Sequence, residues 1–416
     1  MDAAALLFLA LALVLPSGYS AGAVMLLLLG LAAWPALLRG RLPPSVPLAA
    51  WAGAVALMGA VWAMHILDAD GRLVTSTLGL DRCLKYALVL LLLPALLVRR
   101  PAVWALGWGC ALGAGGAGLL ALWQVLGRHM HRAEGFTNAI QFGNLALLLG
   151  LFSAVWAMQA PATHARWAGW AGWAGAALGL AASVTSGSRG GWVTLPVLLL
   201  LALWLGVGTA TAARGRHALR AVLATVAVCA LLALVPGVQQ RAEKAADEYQ
   251  RQEQRADDSS IGLRLALWRQ AWADGLAAPW VGVGQSGYEQ RQRAAVARDA
   301  MPPQAVHFNH AHNEWLDMFA KRGLLGVLGL LMFYAVPLVQ FARALRVAIG
   351  AEAAARARRA AALCGLITVL GFAGFGMTQV MFSHNNGNMM YLLCVSLWLA
   401  VCWHGPGQPR RAIAAP

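Results

Sequence analysis

The sequence predicts an all-α polytopic membrane protein with about 12 transmembrane helices and one large helical loop. Of its 416 residues, 60% are hydrophobic and only 12% are charged, and the mean hydropathy is +0.61. Soluble domains carry about 25% charged residues, whereas a helix that crosses a bilayer needs about 20 predominantly apolar residues. The apolar residues of this chain occur in stretches close to that length, so an ordinary soluble fold is excluded.

Twelve apolar stretches follow one another along the chain. In order they cover 3–17, 21–38, 47–66, 84–98, 102–126, 140–158, 167–185, 192–210, 219–235, 324–345, 361–381 and 389–404. The first and fourth are short enough to be partly re-entrant. The small residues at 20–23 resemble a signal-peptide cleavage site, but no Lys or Arg precedes them, so we expect no cleavage.

The charges predict an orientation for these helices. If Met1 lies in the cytoplasm, the cytoplasmic connections hold 15 arginines and two acidic residues, a net charge of +13. The remaining 17 basic and 15 acidic residues leave +2 on the opposite side. This asymmetry follows the positive-inside rule, so both termini are expected in the cytoplasm. The net charge of +15 therefore describes topology, and no nucleic-acid partner is expected.

The predicted organisation has four parts. Nine helices occupy 1–236, a polar loop on the outer side occupies 237–322, three further helices occupy 323–404, and 405–416 form a cytoplasmic tail. Connections of this length are usually functional. The loop is predicted to contain helices over 239–256 and 261–276, the second preceded by turn and capping residues at 257–260.

Three arginines on the outer side are candidates for binding an anion. Arg264 lies one turn into the second loop helix, where free N–H groups favour anions, although it could instead be a surface residue stacked on Trp268. Arg189, in a glycine-rich turn at membrane depth, suits an anionic headgroup or could snorkel to the interface. Arg132 is either a third phosphate contact or a partner of Glu134.

A histidine-rich segment closes the loop at 307–315. One imidazole could act as a base, because its pKa lies near working pH; a solvated cluster is the alternative. Metal binding is disfavoured, since an HExxH arrangement is absent and acidic neighbours are sparse. Asp68 and Asp70 resemble a metal-binding DxD, but with Gly71 they read more simply as a turn. The six cysteines have no CxxC spacing, so neither disulfides nor zinc are indicated.

The histidine segment carries a resemblance to a known family. The chain reads His312, Asn313, nine residues and then Gly323-Leu-Leu-Gly326, which fits the H-[NSQ]-x9-G-x-x-[GTY] signature of bacterial O-antigen ligases. The Ser-Arg-Gly turn at 188–190 and the Ser-x3-Arg-x3-Trp pattern at 260–268 are similar to two further elements of that family. The chain is therefore identified as resembling the O-antigen ligase and polymerase superfamily.

The resemblance implies a metal-independent inner-membrane glycosyltransferase of the GT-C type, without a cofactor. Its donor would be an O-antigen polysaccharide on undecaprenyl diphosphate, its acceptor a sugar hydroxyl of the lipid A core, its active site periplasmic, and its remaining partners membrane lipids. His312 would take or orient the acceptor proton, with Asn313 fixing the ring or a sugar hydroxyl. The diphosphate would bind Arg189, Arg264 and, more weakly, Arg132. The supporting residues would be Ser188, Trp268, His310, Gly323 and Gly326.

Three alternatives stay open on the sequence. An O-antigen polymerase would use the same donor with a second lipid-linked repeat as acceptor, and a protein O-oligosaccharyltransferase would modify Ser or Thr. A lipid transporter or flippase would belong to a different class. Such proteins usually place ionisable residues or repeated, broken helices at the bilayer midplane, and this sequence concentrates its polar residues outside the spans.

Overall fold

The computed structural model describes residues 1–42, 44–67, 79–159, 166–206, 214–235, 238–240, 243, 260–350 and 352–403. Within these ranges the regular structure is helical. The main helices are α1 Asp2–Leu11, α2 Tyr19–Leu38, α3 Val46–Ala63, α4 Leu80–Val98, α5 Val103–Leu122, α6 Ala139–Gln159, α7 Arg166–Ser186, α8 Arg189–Gly206, α9 Arg214–Ala233, α10 Ser260–Ala277, α11 Gly284–Ala297, α12 Glu314–Val347, α13 Ala353–Phe375 and α14 Asn385–Trp403. A π-helical turn, Trp123–Gly127, extends α5, and a 3₁₀ turn, Pro303–His307, precedes α12.

Nine helices of the described chain are long and apolar enough to cross a membrane, namely α2, α3, α5, α6, α8, α9, α12, α13 and α14. The predicted all-α polytopic class is confirmed in this respect. Each of the twelve predicted stretches overlaps a helix of the described chain, but α1 has only 10 residues, and α4 begins with three charged residues in its first two turns. The count of twelve spans therefore stays a prediction.

The helices differ strongly in how far they are buried. Within the 18-residue apolar segment of each helix, 94% of the residues of α6 and 89% of those of α14 are buried inside the protein, against 22% in α2 and 11% in α9. The helix α6 packs against α5, α7, α8 and α13, and α14 packs against α3, α4 and α13. The centre of the bundle is therefore formed by α6, α13 and α14, while α2 and α9 leave most of their side chains to the surroundings.

Connections from different parts of the chain meet at one end of the bundle, which we call the loop side. Arg132 Nε donates to the Ser186 carbonyl oxygen at 2.8 Å, joining the α5–α6 and α7–α8 connections. At the start of α4, Arg82 donates to the carbonyl of Ser383 in the α13–α14 connection at 3.0 Å. These connections are the ones that the charge pattern assigns to a single side.

The helices of the large loop rest on the first turns of α12. The helix α10 covers Ser260–Ala277, in agreement with the predicted 261–276, and Trp272 of α10 packs on Phe319 of α12 with ring centroids 5.2 Å apart. A Cβ at Gly275 would lie 2.2 Å from the Phe319 ring, so only glycine permits this approach. Most of the helix predicted over 239–256 lies outside the described residues.

Candidate active site

The segment that ends the large loop is held by the start of α12. Asn313 is the N-cap of that helix, and its Oδ1 accepts hydrogen bonds from the backbone N–H groups of Trp315 and Leu316 at 3.0 and 3.2 Å. Its Nδ2 donates to the Met377 carbonyl at 3.3 Å. Both polar atoms of the Asn313 side chain therefore have structural partners, while its predicted contact with a ring or a sugar stays a prediction.

His312 lies immediately before this cap in an unusual backbone conformation. Its φ is +52°, in the left-handed region that few residues other than glycine adopt and that is often found at functional sites. Its backbone N–H donates to Nδ1 of His310 at 3.2 Å. This turn points the His312 ring toward the α13–α14 connection, where its Nδ1 lies 2.9 Å from Oε1 of Gln379.

Three histidine rings meet beside this turn. The His310 ring is 4.3 Å from the His312 ring and 5.9 Å from the His384 ring, both with edge-on geometry. Asn138, just before α6, places its Nδ2 3.4 Å from the nitrogens of His384. His384, which no motif in the sequence indicates, therefore has two partners in the structure, His310 and Asn138.

Burial and nearby cations keep these rings neutral. Burial is the largest cause of the shift for all three, and it lowers the pKa of His312 to about 4, with the positive charge of Arg264 adding to the effect. The pKa of His384 is likewise lowered to about 4, by burial and then by Arg82. The pKa of His310 falls well below its ordinary value. A neutral imidazole has one nitrogen that accepts a hydrogen bond, as a general base requires.

The Ser-Arg-Gly turn lies against the same connection. Ser188 is buried, and its Oγ donates to Oδ1 of Asn144 in α6 at 2.6 Å, which fixes the turn before α8. A Cβ at Gly190 would lie 2.2 Å from Oγ1 of Thr378, so glycine lets the turn approach the α13–α14 connection. Arg189, the first residue of α8, is thereby placed at the loop side, partly exposed.

The three predicted arginines lie close enough to influence one another. Burial, followed by the positive charges of Arg189 and Arg264, lowers the pKa of Arg132, while Glu134 opposes that shift. Because Arg264 also acts on His312, all four predicted ionisable groups occupy one region. Like charges gathered in this way repel each other unless an anion lies between them, so the region is suited to a polyanionic ligand.

The two signature glycines have a structural explanation. Gly323 interrupts α12 with φ +59° and ψ −156°, and the loop backbone passes directly against it: the N–H groups of Leu324 and Leu325 donate to the carbonyls of Pro279 and Trp280. A Cβ at Gly326 would lie 2.5 Å from that of Arg322. The fixed number of residues in the signature therefore separates the helix cap at Asn313 from the kink at Gly323. Trp268 is partly buried on α10, one turn beyond Arg264.

The sequence did not predict a group of buried charges near the histidines. Arg82 and Arg322 lie over the Trp62 ring, 4.0 and 3.9 Å from its centroid, and Lys321 pairs with Asp317 at 2.6 Å while both are almost fully buried. The Asp317–Lys321 spacing of four residues was a usable signal for an ion pair on a helix. No local pattern connects Trp62 with the two arginines.

Among the described residues, no group of three or more His, Cys, Asp or Glu side chains is arranged to hold a metal ion. Asp68 and Asp70 lie outside the described residues. The six cysteines, all of which are described, are free thiols.

The fold and the site define a class: a polytopic helical membrane protein whose histidines and arginines converge at one end of the bundle. Residues 174–331 match the model of a family described as O-antigen ligase, and this match supports membership of the chain in the O-antigen ligase superfamily. The match includes Arg189, Arg264 and His312, whereas Arg132 and Gln379 lie outside it. The match supports an activity of the O-antigen ligase or polymerase type, with lipid-linked polysaccharide substrates.

A curated relative was also found. The chain is similar to an uncharacterized protein of Haemophilus influenzae, with 26% identity over 285 residues that cover 67% of this chain and 69% of the relative.

Proposed function

We propose that the protein is an O-antigen ligase of the GT-C type, located in the bacterial inner membrane with its loop side in the periplasm and both termini in the cytoplasm. It transfers polysaccharide from undecaprenyl diphosphate to a sugar hydroxyl of the lipid A core. The observation that carries this proposal is the convergence of a neutral, hydrogen-bonded His312 with three arginines. The domain boundaries at 236 and 322 remain part of this proposal.

The arginines account for departure of the diphosphate. When the acceptor oxygen bonds to the anomeric carbon, the bond from that carbon to the diphosphate oxygen breaks, and the electron pair leaves with the diphosphate. Negative charge grows on the leaving group, and guanidinium groups bind phosphate oxygens through paired, charge-assisted hydrogen bonds. Contacts of Arg189, Arg264 and Arg132 strengthen as this charge grows. They therefore stabilise the transition state more than the bound donor, which accelerates the reaction.

His312 accounts for the proton of the acceptor. With Nδ1 bonded to Gln379, its Nε2 carries the lone pair that accepts the hydroxyl proton. The pKa of about 4 makes the free imidazole a weak base, but a diphosphate bound beside Arg264 offsets the positive charge that contributes to this low value. Donor binding therefore raises the basicity of His312, and the base is strengthened only when the donor is present.

The test uses purified protein reconstituted with undecaprenyl-diphosphate glycan and lipid A-core, with product identification by mass. His312→Ala should lower the rate by about 10²- to 10⁴-fold, the usual contribution of a general base. His307→Ala is the matched control, because His307 is an exposed histidine of the same segment. Full product from stable His312→Ala protein would contradict the role of His312.

The diphosphate role is tested by donor binding. The double variant Arg189→Ala, Arg264→Ala should bind the donor more weakly, while Arg269→Ala, an exposed arginine on α10, should not. Unchanged donor binding by the double variant would refute the role.

Lengthened glycan on the lipid carrier instead of glycan on the core would identify a polymerase. Activity should persist in excess EDTA, and its loss would point to Asp68 and Asp70 as metal ligands.

A further inference from the structure

The α13–α14 connection contributes a buried polar side chain that no sequence motif indicates. Gln379 is 2% exposed, and its Oε1 lies 2.9 Å from Nδ1 of His312. The backbone N–H of Val380 donates to the same oxygen at 3.2 Å. A backbone N–H can only donate, so it identifies the atom facing His312 as the amide oxygen.

This arrangement determines which nitrogen of His312 carries the proton. An amide oxygen only accepts, so Nδ1 of His312 must donate to it, and in a neutral ring the lone pair is then on Nε2. The hydrogen bond also fixes the rotation of the ring. Without the partner, an imidazole is free to place its proton on either nitrogen, and the fraction with a basic Nε2 falls.

We propose that Gln379 is a positioning residue, which holds His312 as the Nδ1–H tautomer and directs the Nε2 lone pair toward the acceptor hydroxyl. This inference rests on the proposed function of His312 as base. The amide is neutral, so it orients the ring without attracting a proton to it. A carboxylate in the same place would stabilise the imidazolium, and it would also repel a diphosphate bound at Arg264.

The charged and titratable groups around His312 come from four elements. His310 lies on the same segment, Arg264 on α10, Asp317 on α12 and His384 just before α14. None of them is altered by a substitution at Gln379, so a change in the titration of His312 reports on the Gln379 contact.

The experiment compares two substitutions of equal size. Gln379→Leu removes the acceptor and should lower kcat about 10- to 100-fold, by analogy with the loss of the orienting partner of a metal-binding histidine, with little change in donor KM. Gln379→Glu keeps the acceptor and should retain activity, but its charge should move the acid limb of the kcat/KM profile up by about 1 to 3 pH units. Gln290→Leu, at an exposed position on α11, is the control.

A second readout does not depend on turnover. Nitrogen NMR of labelled histidine, with the His312 signal identified from its loss in His312→Gln, should show Nδ1–H in the wild type and a shift toward Nε2–H in Gln379→Leu. An unchanged tautomer together with wild-type kcat in Gln379→Leu would overturn the proposal. Active His312→Ala protein would instead refute the proposed function, while the tautomer measurement would still decide whether Gln379 orients the ring.

Discussion

Replacing Gly323 by Ala tests the kink on which the family signature depends. With φ +59° and ψ −156°, this backbone lies in a region that is essentially restricted to glycine and costs other residues about 1–3 kcal/mol. The added Cβ would also lie 2.4 Å from the carbonyl carbon of Trp280, and overpacking of this kind typically costs about 1–3 kcal/mol. Together these effects predict a destabilisation of about 2–6 kcal/mol.

The substitution should also displace the loop from α12. The carbonyls of Pro279 and Trp280, which accept hydrogen bonds from the Leu324 and Leu325 N–H groups at 2.7 and 3.2 Å, lie just after α10. Movement here shifts α10, and with it Arg264, relative to His312. We therefore expect a loss of transfer activity even at temperatures where the variant is still folded.

Thermal unfolding of the purified protein, followed by tryptophan fluorescence, measures the first effect and the ligation assay measures the second. Gly53→Ala is the matched control, because a Cβ at Gly53 meets no atom within 4 Å, and alanine in a helix is favoured by about 1 kcal/mol. The control should keep or slightly raise the Tm. A Tm for Gly323→Ala equal to that of the wild type would show that the kink tolerates a side chain and refute the reasoning.

Three further predictions concern charge and packing. The acid limb of the kcat/KM profile should lie near pH 4 rather than 6.5, because the pKa of His312 is lowered to about 4, and a limb at 6.5 would contradict this pKa. The neutral His312 ring should contribute fully to stability above pH 6.5, and that contribution should be lost as the pH falls toward 4. Trp62→Ala should destabilise the protein by about 3–5 kcal/mol, measured as a fall in Tm, because it removes the ring that two buried arginines share; Trp170→Ala, at an exposed position, should have little effect. Asp317→Asn should cost about 3–5 kcal/mol by leaving the charge of the buried Lys321 without its counterion. The exposed Asp299→Asn should leave the unfolding curve nearly unchanged.

Much of the fold was predictable, because a membrane span is a local property of the sequence. About 20 apolar residues specify a helix whatever the rest of the chain does. The helix around Arg264 was equally local, since turn and capping residues precede an amphipathic stretch. The charges at the start of α4 were harder to interpret, because the partner of Arg82 is the carbonyl of Ser383, 301 residues away.

The candidate site was predictable only where a motif marked it. Arg189, Arg264 and His312 stood out by spacing, and the structure brings them together with Arg132. Gln379 could not be found in this way, because a glutamine near an apolar stretch has no distinctive pattern. Asn313 shows the opposite problem: its position was evident, but a capping residue and a sugar-binding residue look alike in a sequence.

The contact between His312 and Gln379 also bears on how the protein is made. The two residues are 67 positions apart, and all of α12 and α13 lies between them, so the ring acquires its partner only after these helices have been inserted. If His312 is the base proposed above, a nascent chain that already exposes Arg189 and Arg264 still lacks an oriented base. Under that proposal activity requires the complete helices α12 and α13, and a chain truncated before α13 is expected to be inert rather than partly active.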